Sequence, residues 1–362
     1  MGEPLTVGIV GAGKISAAYA ETLARLPGVR LTRVADLDLG RAAALAADLP
    51  GVLPVPPDEL LACADVDAVL NLTVPRAHAT VALAALAAGK HVYGEKPLAT
   101  GTTEAAEVLA AAAAAGRTVA CAPDTVLGTG LQTARASLAA GDIGVPVAAT
   151  AFMVTPGHER WHPSPQFYYE PGGGPLYDMG PYYLTALVHL LGPVRRVTGM
   201  ASTPRPTRTT LDGVTFPVEV ATHVTGVLEH ASGALTTLMM SFDAWTGRLP
   251  RIEVYGTEGT LNVPDPNGFA GDVHRFAGAT REWTKLPDLA GYRDAARGYG
   301  VADLARALRT GTQPRASADL AYHVLDVMES LLSAAATGTT TTVTSTCEVP
   351  APVPLAADPD RA

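Results

Sequence analysis

Four lysines, Lys14, Lys90, Lys96 and Lys285, stand in a chain whose remaining 22 Lys/Arg positions are all arginine. Lys96 follows the apolar run of residues 91–94 as the middle of Glu95-Lys96-Pro97, just ahead of a helix-start signal. A lysine ammonium is a compact donor whose pKa falls when desolvated, so it can polarise a hydroxyl or carbonyl and shuttle a proton, which arginine cannot. Pro97 restricts the backbone directly behind it and tolerates a cis bond. Taken alone, the triplet is equally compatible with a surface turn carrying an ordinary Glu–Lys pair. A second set of polar residues, Asp178, Tyr182, Thr185 and His189, falls at i, i+4, i+7 and i+11, which places all four on one face of an otherwise apolar helix. Such a stripe is either a site or a satisfied core network.

The elements that must position these residues follow from the apolar patterning. Residues 5–10 form a short β-branched run that leads into Gly11-Ala12-Gly13-Lys14-Ile15-Ser16 and a helical stretch to Leu26. In a strand–turn–helix of this kind the first glycine permits a tight bend and the second lets a pyrophosphate approach the backbone, whose charge the helix N-terminus favours. A second strand over 29–35 ends at Asp36, where a carboxylate can hold an adenosine ribose and repel a 2′-phosphate; NAD is therefore favoured over NADP. The alternative for Asp36 is a cap on the helix that starts near Leu39. Another strand over 68–74 brings Asn71, Thr73 and His78 to the carboxyl edge of the same sheet, and strands at 91–94 and 118–122 complete an alternation that means a doubly wound parallel sheet. After about Pro123 the texture changes. Residues 146–155, 194–203, 215–229, 234–242 and 251–263 alternate as antiparallel strands do, and helices are expected at 178–191, 300–310 and 318–337. The expected organisation is a Rossmann α/β domain over 1–123 and an α+β domain over 124–362.

Composition limits the partners. The 362 residues are 48% hydrophobic and 17% charged with a net charge of −9, an ordinary globular balance that disfavours nucleic acid and anionic membrane and favours a small-molecule ligand. Cys63, Cys121 and Cys347 are odd in number and show no metal-ligand spacing, so no metal and a reducing, cytoplasmic home are expected. Neither a secretory leader nor a membrane span is legible.

Taken together, GIVGAGKIS, Asp36, the tract from Asn71 to Thr100 and GGGPLYDMGPYY resemble the Gfo/Idh/MocA oxidoreductases, the glucose-fructose oxidoreductase and inositol dehydrogenase family. The resemblance implies an N-terminal Rossmann domain and a C-terminal domain built on a large, mostly antiparallel open sheet, with the nicotinamide in the cleft between them. It further implies oxidation or reduction of a secondary alcohol on a sugar, cyclitol or polyol, in a homodimer or homotetramer. Carried over, Gly11, Gly13, Lys14 and Ile15 face the pyrophosphate, Asp36 the ribose, and Asn71, Thr73, His78 and Glu95 the rest of the cofactor, with Lys96 beside the reacting hydroxyl. Lys96, Tyr182 and Asp178 are the implied catalytic set. Asp124, His158, Trp161, His162 and Thr185 are the implied substrate contacts, with Phe167, Tyr168 and Tyr169 adding an apolar face for a sugar; a subunit contact is the alternative for that aromatic loop. One departure stands out. Where the family often has Asp-x-Gly-x-His-x-x-Asp, this chain has Tyr182 and Thr185 in place of the histidine and second acid. A redox-neutral glycosidase or lyase that retains NAD and works through a transient keto-sugar, and a non-catalytic dinucleotide-dependent sensor, are the alternatives to a dehydrogenase.

Overall fold

A computed structural model describes residues 3–359. The chain divides into two compact units, one comprising residues 1–128, 291–322 and 350–362, the other residues 129–290 and 323–349. The single cut expected at 123/124 is thus replaced by a division in which two later segments return to the first unit. The physical reason lies in the core described below, which the N-terminal segment does not close by itself.

In the first unit β1 (Leu5–Val10), α1 (Ser16–Leu23), β2 (Val29–Ala35), α2 (Leu39–Ala46), β3 (Leu53–Val55), α3 (Pro57–Ala62), β4 (Ala68–Asn71), α4 (His78–Ala87), β5 (His91–Gly94), α5 (Thr102–Ala115) and β6 (Val119–Cys121) alternate as expected. The strands form a six-stranded sheet in the order β3-β2-β1-β4-β5-β6, and every pairing in it is parallel. Because β1 pairs with β2 on one side and β4 on the other, the strand order reverses at β1, and the carboxyl ends of β1 and β4 flank the crevice where open α/β sheets bind ligands. Val7, Ile9, Leu70 and Tyr93 are buried in the core of this unit.

The second unit opens with α6 (Thr129–Ala139), which the apolar pattern does not reveal, and continues through β7 (Pro146–Val154), α7 (Gly174–Leu191), β8 (Val194–Ser202), β9 (Thr207–Thr209), β10 (Thr215–Pro217), β11 (His223–His230), β12 (Leu235–Ser241), β13 (Ile252–Gly256), β14 (Gly259–Val263), β15 (His274–Ala277) and β16 (Glu282–Lys285). The chain then runs through α8 (Tyr299–Thr310) in the first unit and α9 (Ala318–Thr337) to β17 (Thr341–Thr342). Nine strands pair in the order β16-β15-β14-β13-β7-β12-β11-β8-β17. All of these pairings are antiparallel except β7 with β12, so the sheet is mixed but largely antiparallel. Its inner face, with Met153, Val224, Leu238, Met240 and Val254, is buried, and α7 packs on β7, β11 and β12. The expected strand over 215–229 is two elements: β10 pairs with β9 in a separate ribbon, and only β11 joins the large sheet.

Candidate active site

At the carboxyl edge of the first unit's sheet, β1 ends in Gly11, which has φ +104° and whose added Cβ would lie 2.7 Å from the Leu72 carbonyl carbon and oxygen and 2.8 Å from the Thr73 nitrogen. Only glycine suits a left-handed turn this close to the strand beside it. A Cβ on Gly13, in contrast, would meet no protein atom within 4 Å, so nothing in the protein itself requires a bare backbone there. A ligand that must approach the main chain would. Lys14 is exposed and Ile15 partly so, ahead of α1.

Asp36, at the end of β2, accepts from the Ala12 N–H at 2.8 Å and from the Asp38 N–H at 2.9 Å. The cap of α2 is Asp38, whose side chain accepts from Gly40 and Arg41, so Asp36 is not the helix cap that its position allowed. One carboxylate oxygen is thus tied to the glycine turn and the other to the backbone that follows β2.

After β4, the Asn71 side chain donates to the His78 carbonyl at 3.0 Å and accepts from the Thr73 hydroxyl at 2.7 Å. His78 is buried, with Nδ1 2.6 Å from the Pro97 carbonyl and Nε2 3.0 Å from the Thr73 carbonyl. Desolvation holds its pKa below the usual imidazole range, although the two carbonyls pull the other way. A neutral ring can donate to only one of them, and the shorter contact assigns the proton to Nδ1. His78 therefore stands behind the turn, tying the segment after β4 to the one after Lys96, whereas the resemblance placed it against the cofactor. The Lys96–Pro97 bond is cis, as is Ala122–Pro123. Glu95 is buried and accepts from the Tyr19 hydroxyl at 2.7 Å and from the Lys96 N–H at 3.1 Å, so the residue beside the lysine is clamped from α1 and from its own backbone.

Asp124 needs a different assignment from the substrate contact expected of it. It is fully buried and accepts from the Gly298 and Gly300 N–H groups at 2.8 and 3.1 Å, with Arg297 at 3.9 Å. It thereby binds the start of α8, whose first N–H groups have no helical partner. Burial pushes its pKa up to about 6 against the pull of Arg297 and the two backbone donors.

In the second unit, α7 carries Asp178 and the 3₁₀ turn His158–Arg160 carries His158, and the structure joins them: His158 Nε2 lies 2.8 Å from Asp178 Oδ2. Trp161 Nε1 lies 3.3 Å from His158 Nδ1, and the imidazole packs on Tyr168 and Phe242 at ring separations of 4.5 and 4.4 Å. His162 accepts from the Ser164 N–H at 3.1 Å and packs on Trp161, Phe167 and Tyr168. The polar stripe divides. Asp178 is partly exposed, Tyr182 is buried with 6% of its surface open, and Thr185 and His189 lie in the core. Neither His189 ring nitrogen has a hydrogen-bond partner among the described residues, and burial pushes its pKa down to about 3, which leaves a neutral core imidazole.

The motifs did not reveal the network beneath this turn. Glu159 accepts from Tyr169 and from Arg208 at 2.9 Å; Arg208, with a side chain only 1% exposed, also reaches Asp243 at 2.6 Å. Tyr169 in turn accepts from the His158 N–H at 3.1 Å. The available signal was the acid beside the histidine in GHERW, but its partner Arg208 lies on β9, and no local spacing relates the two.

Residues 5–122 match the oxidoreductase family with an NAD-binding Rossmann fold, and residues 131–262 match the GFO/IDH/MocA C-terminal domain. A 1,5-anhydro-D-fructose reductase from Ensifer adhaerens is 32% identical over 70% of this chain and 74% of its own. The chain belongs to the Gfo/Idh/MocA family. Within it, inositol 2-dehydrogenase 3 of Saccharopolyspora erythraea is 29% identical over 76% of this chain and 79% of its own. The crystal structure of an NAD-binding oxidoreductase from Klebsiella pneumoniae superposes with a TM-score of 0.81, at 27% identity over 94% of this chain and 100% of that one. As a Gfo/Idh/MocA protein this chain is an NAD-binding oxidoreductase, and the left-handed Gly11, the open space at Gly13 and the tethered Asp36 suit that cofactor.

Proposed function

We propose that the protein transfers hydride between NAD and a secondary alcohol, or the matching ketone, of a sugar, cyclitol or related polyol. The observation that carries the substrate class is the His158–Asp178 hydrogen bond in an aromatic setting of Trp161, Tyr168 and Phe242, since polar groups beside ring faces suit a molecule with both hydroxyls and an apolar face. The names of the relatives, an inositol dehydrogenase and an anhydro-sugar reductase, support the same class. Bound NAD supplies the hydride acceptor. Gly11, Gly13, Lys14, Ile15 and Asp36 hold it, with Asn71, Thr73 and Glu95 shaping the strand ends. Lys96 polarises the reacting oxygen, Tyr182 relays its proton and Asp178 orients the neighbouring hydroxyls; His158, Trp161 and His162 form the surroundings of the ring.

The test is a panel of sugars, cyclitols and glycosides incubated with enzyme and NAD, following reduced nicotinamide by absorbance and products by mass. Net NADH supports the dehydrogenase. Cleavage of a glycoside without net NADH replaces it with the NAD-retaining glycosidase or lyase.

Two further parts of the proposal concern assembly and location. Met200, Val227 and Leu235 are exposed on the open face of the large sheet, and a homodimer or homotetramer would cover them. Light scattering that gives the mass of one chain at micromolar concentration would exclude this. None of the three cysteines is joined in a disulfide among the described residues, which suits a reducing cytoplasm.

A further inference from the structure

The position four residues beyond Asp178, often histidine in this family, is Tyr182, and the imidazole that meets Asp178 comes from the turn at 158 instead. Its donor and acceptor assignment follows from the neighbouring indole. An indole nitrogen only donates, so the Trp161 contact at 3.3 Å makes His158 Nδ1 the acceptor. The ring proton then resides on Nε2 and is donated to Asp178 Oδ2 at 2.8 Å. A doubly protonated ring would set two N–H groups against each other at Trp161. The series therefore runs one way, from Trp161 to His158 to Asp178.

The ring is also held from beneath. The His158 N–H donates to the Tyr169 hydroxyl, Tyr169 donates to Glu159, and Glu159 pairs with Arg208, which pairs with Asp243. Asp243 accepts in addition from the Thr222 hydroxyl at 2.6 Å. Tyr168 and Phe242 limit rotation of the imidazole itself. Such support fixes a functional side chain within the small tolerance that productive geometry allows.

We propose that His158 is the positioning residue for Asp178, that Trp161 sets its tautomer, and that this series fixes the Asp178 carboxylate toward the substrate hydroxyls. The inference rests on the proposed role of Asp178 in orienting a polyol. It changes the place of His158 from a direct sugar contact to a group that acts through the carboxylate.

Two measurements test it. The first needs no activity: ¹⁵N spectra of histidine-labelled full-length protein at neutral pH, with the His158 signals identified by their loss in His158→Asn. A protonated Nε2 with an unprotonated Nδ1 is expected, and Trp161→Phe, which keeps a ring but removes the donor, should release that preference. A protonated Nδ1 in the wild type, or a tautomer indifferent to Trp161→Phe, overturns the series. The second compares two amides on the best polyol of the panel, with thermal melts confirming that both variants fold. Glutamine places its N–H₂ near the Nε2 position and should restore most of the turnover. Asparagine is too short to reach Asp178 and should lower kcat by about 10- to 100-fold, the range for losing a hydrogen bond to a charged group, with NAD affinity unchanged. Equal kcat for the two amides, or a loss confined to KM, overturns the positioning role. If no polyol is turned over by the wild type, the proposed function fails, while the spectra still decide the tautomer.

Discussion

The Asp36 carboxylate accepts a hydrogen bond from the backbone N–H of Ala12 at 2.8 Å, so the acid at the end of β2 and the glycine turn after β1 are one unit. Asp36→Ala removes that tether and, with it, the ribose acceptor proposed above. Each hydrogen bond to a charged group is worth about 1.5–3 kcal/mol, so NAD affinity should fall by at least about tenfold. NADP, whose 2′-phosphate the carboxylate repels, should lose far less. Calorimetric titration of both dinucleotides checks this, and a wild type that prefers NADP would refute the role given to Asp36.

Lys96→Ala should lower kcat by roughly 100- to 10,000-fold, the contribution of general acid–base assistance, and leave NAD affinity nearly intact. Tyr182→Phe keeps the ring and removes the hydroxyl, and a comparable loss is expected. In the double variant, residues of one relay give a loss close to the larger single one, whereas independent residues multiply. Steady-state kinetics on the four proteins separate these cases.

Asp124 makes stability depend on pH in a calculable direction. Its pKa in the folded protein, about 6, lies above the ordinary 3.8, so the folded state holds the proton more tightly than the unfolded chain. The resulting stabilisation is complete below about pH 3.8 and is lost as pH rises through about 6. Full loss is on the order of 3 kcal/mol at about 1.4 kcal/mol per tenfold. Asp124→Asn keeps an acceptor for Gly298 and Gly300 but does not titrate. The stability of wild type minus that of Asp124→Asn, from denaturant melts between pH 4 and 7.5, should therefore fall with rising pH and then level. A difference that is flat across this range would contradict the assignment.

Arg208→Met should cost about 3–5 kcal/mol, the penalty for breaking a buried ion pair, because it strands Glu159 and Asp243 without their shared cation. The same variant should release the His158 turn. Urea unfolding measures the first effect. A loss below about 1 kcal/mol, the range of exposed pairs, would show that the network contributes little.

Much of the first unit was legible because its signals are local. A β-branched run, a glycine turn and an acid at the next strand end each lie within a few residues, and the parallel sheet follows from their alternation. Lys96 was legible for the same reason, as a rare residue at a strand end. Arg208 was not: in TPRPTRT it resembles any surface arginine until β9 brings it to Glu159, 49 positions earlier. The pairing of His158 with Asp178 is hidden likewise, since 20 positions and two different elements separate them. Helix α6 escaped because residues 129–134 are all buried, so the first half of TGLQTARASLA has no wet face, and the partly exposed second half is too short to set a period. The partners of Asp124 are not legible because the backbone N–H groups that claim it arrive from residues 298 and 300.

That late arrival bears on how the protein is made. Val301, Ala302, Leu304 and Ala305 of α8, with Ala316 beyond it, fill the same core as Val7, Ile9 and Tyr19 of the first strand and helix. A ribosome that has finished β6 has delivered all six strands of the parallel sheet but none of this packing, and about 180 residues must still emerge before the apolar surface beneath it can be covered. During synthesis the second unit can therefore gather eight of the nine strands of its large sheet, all but β17, while the dinucleotide-binding half waits open. A gene fragment ending at residue 128 encodes every strand of the six-stranded parallel sheet and would yield a sticky, incompletely closed polypeptide.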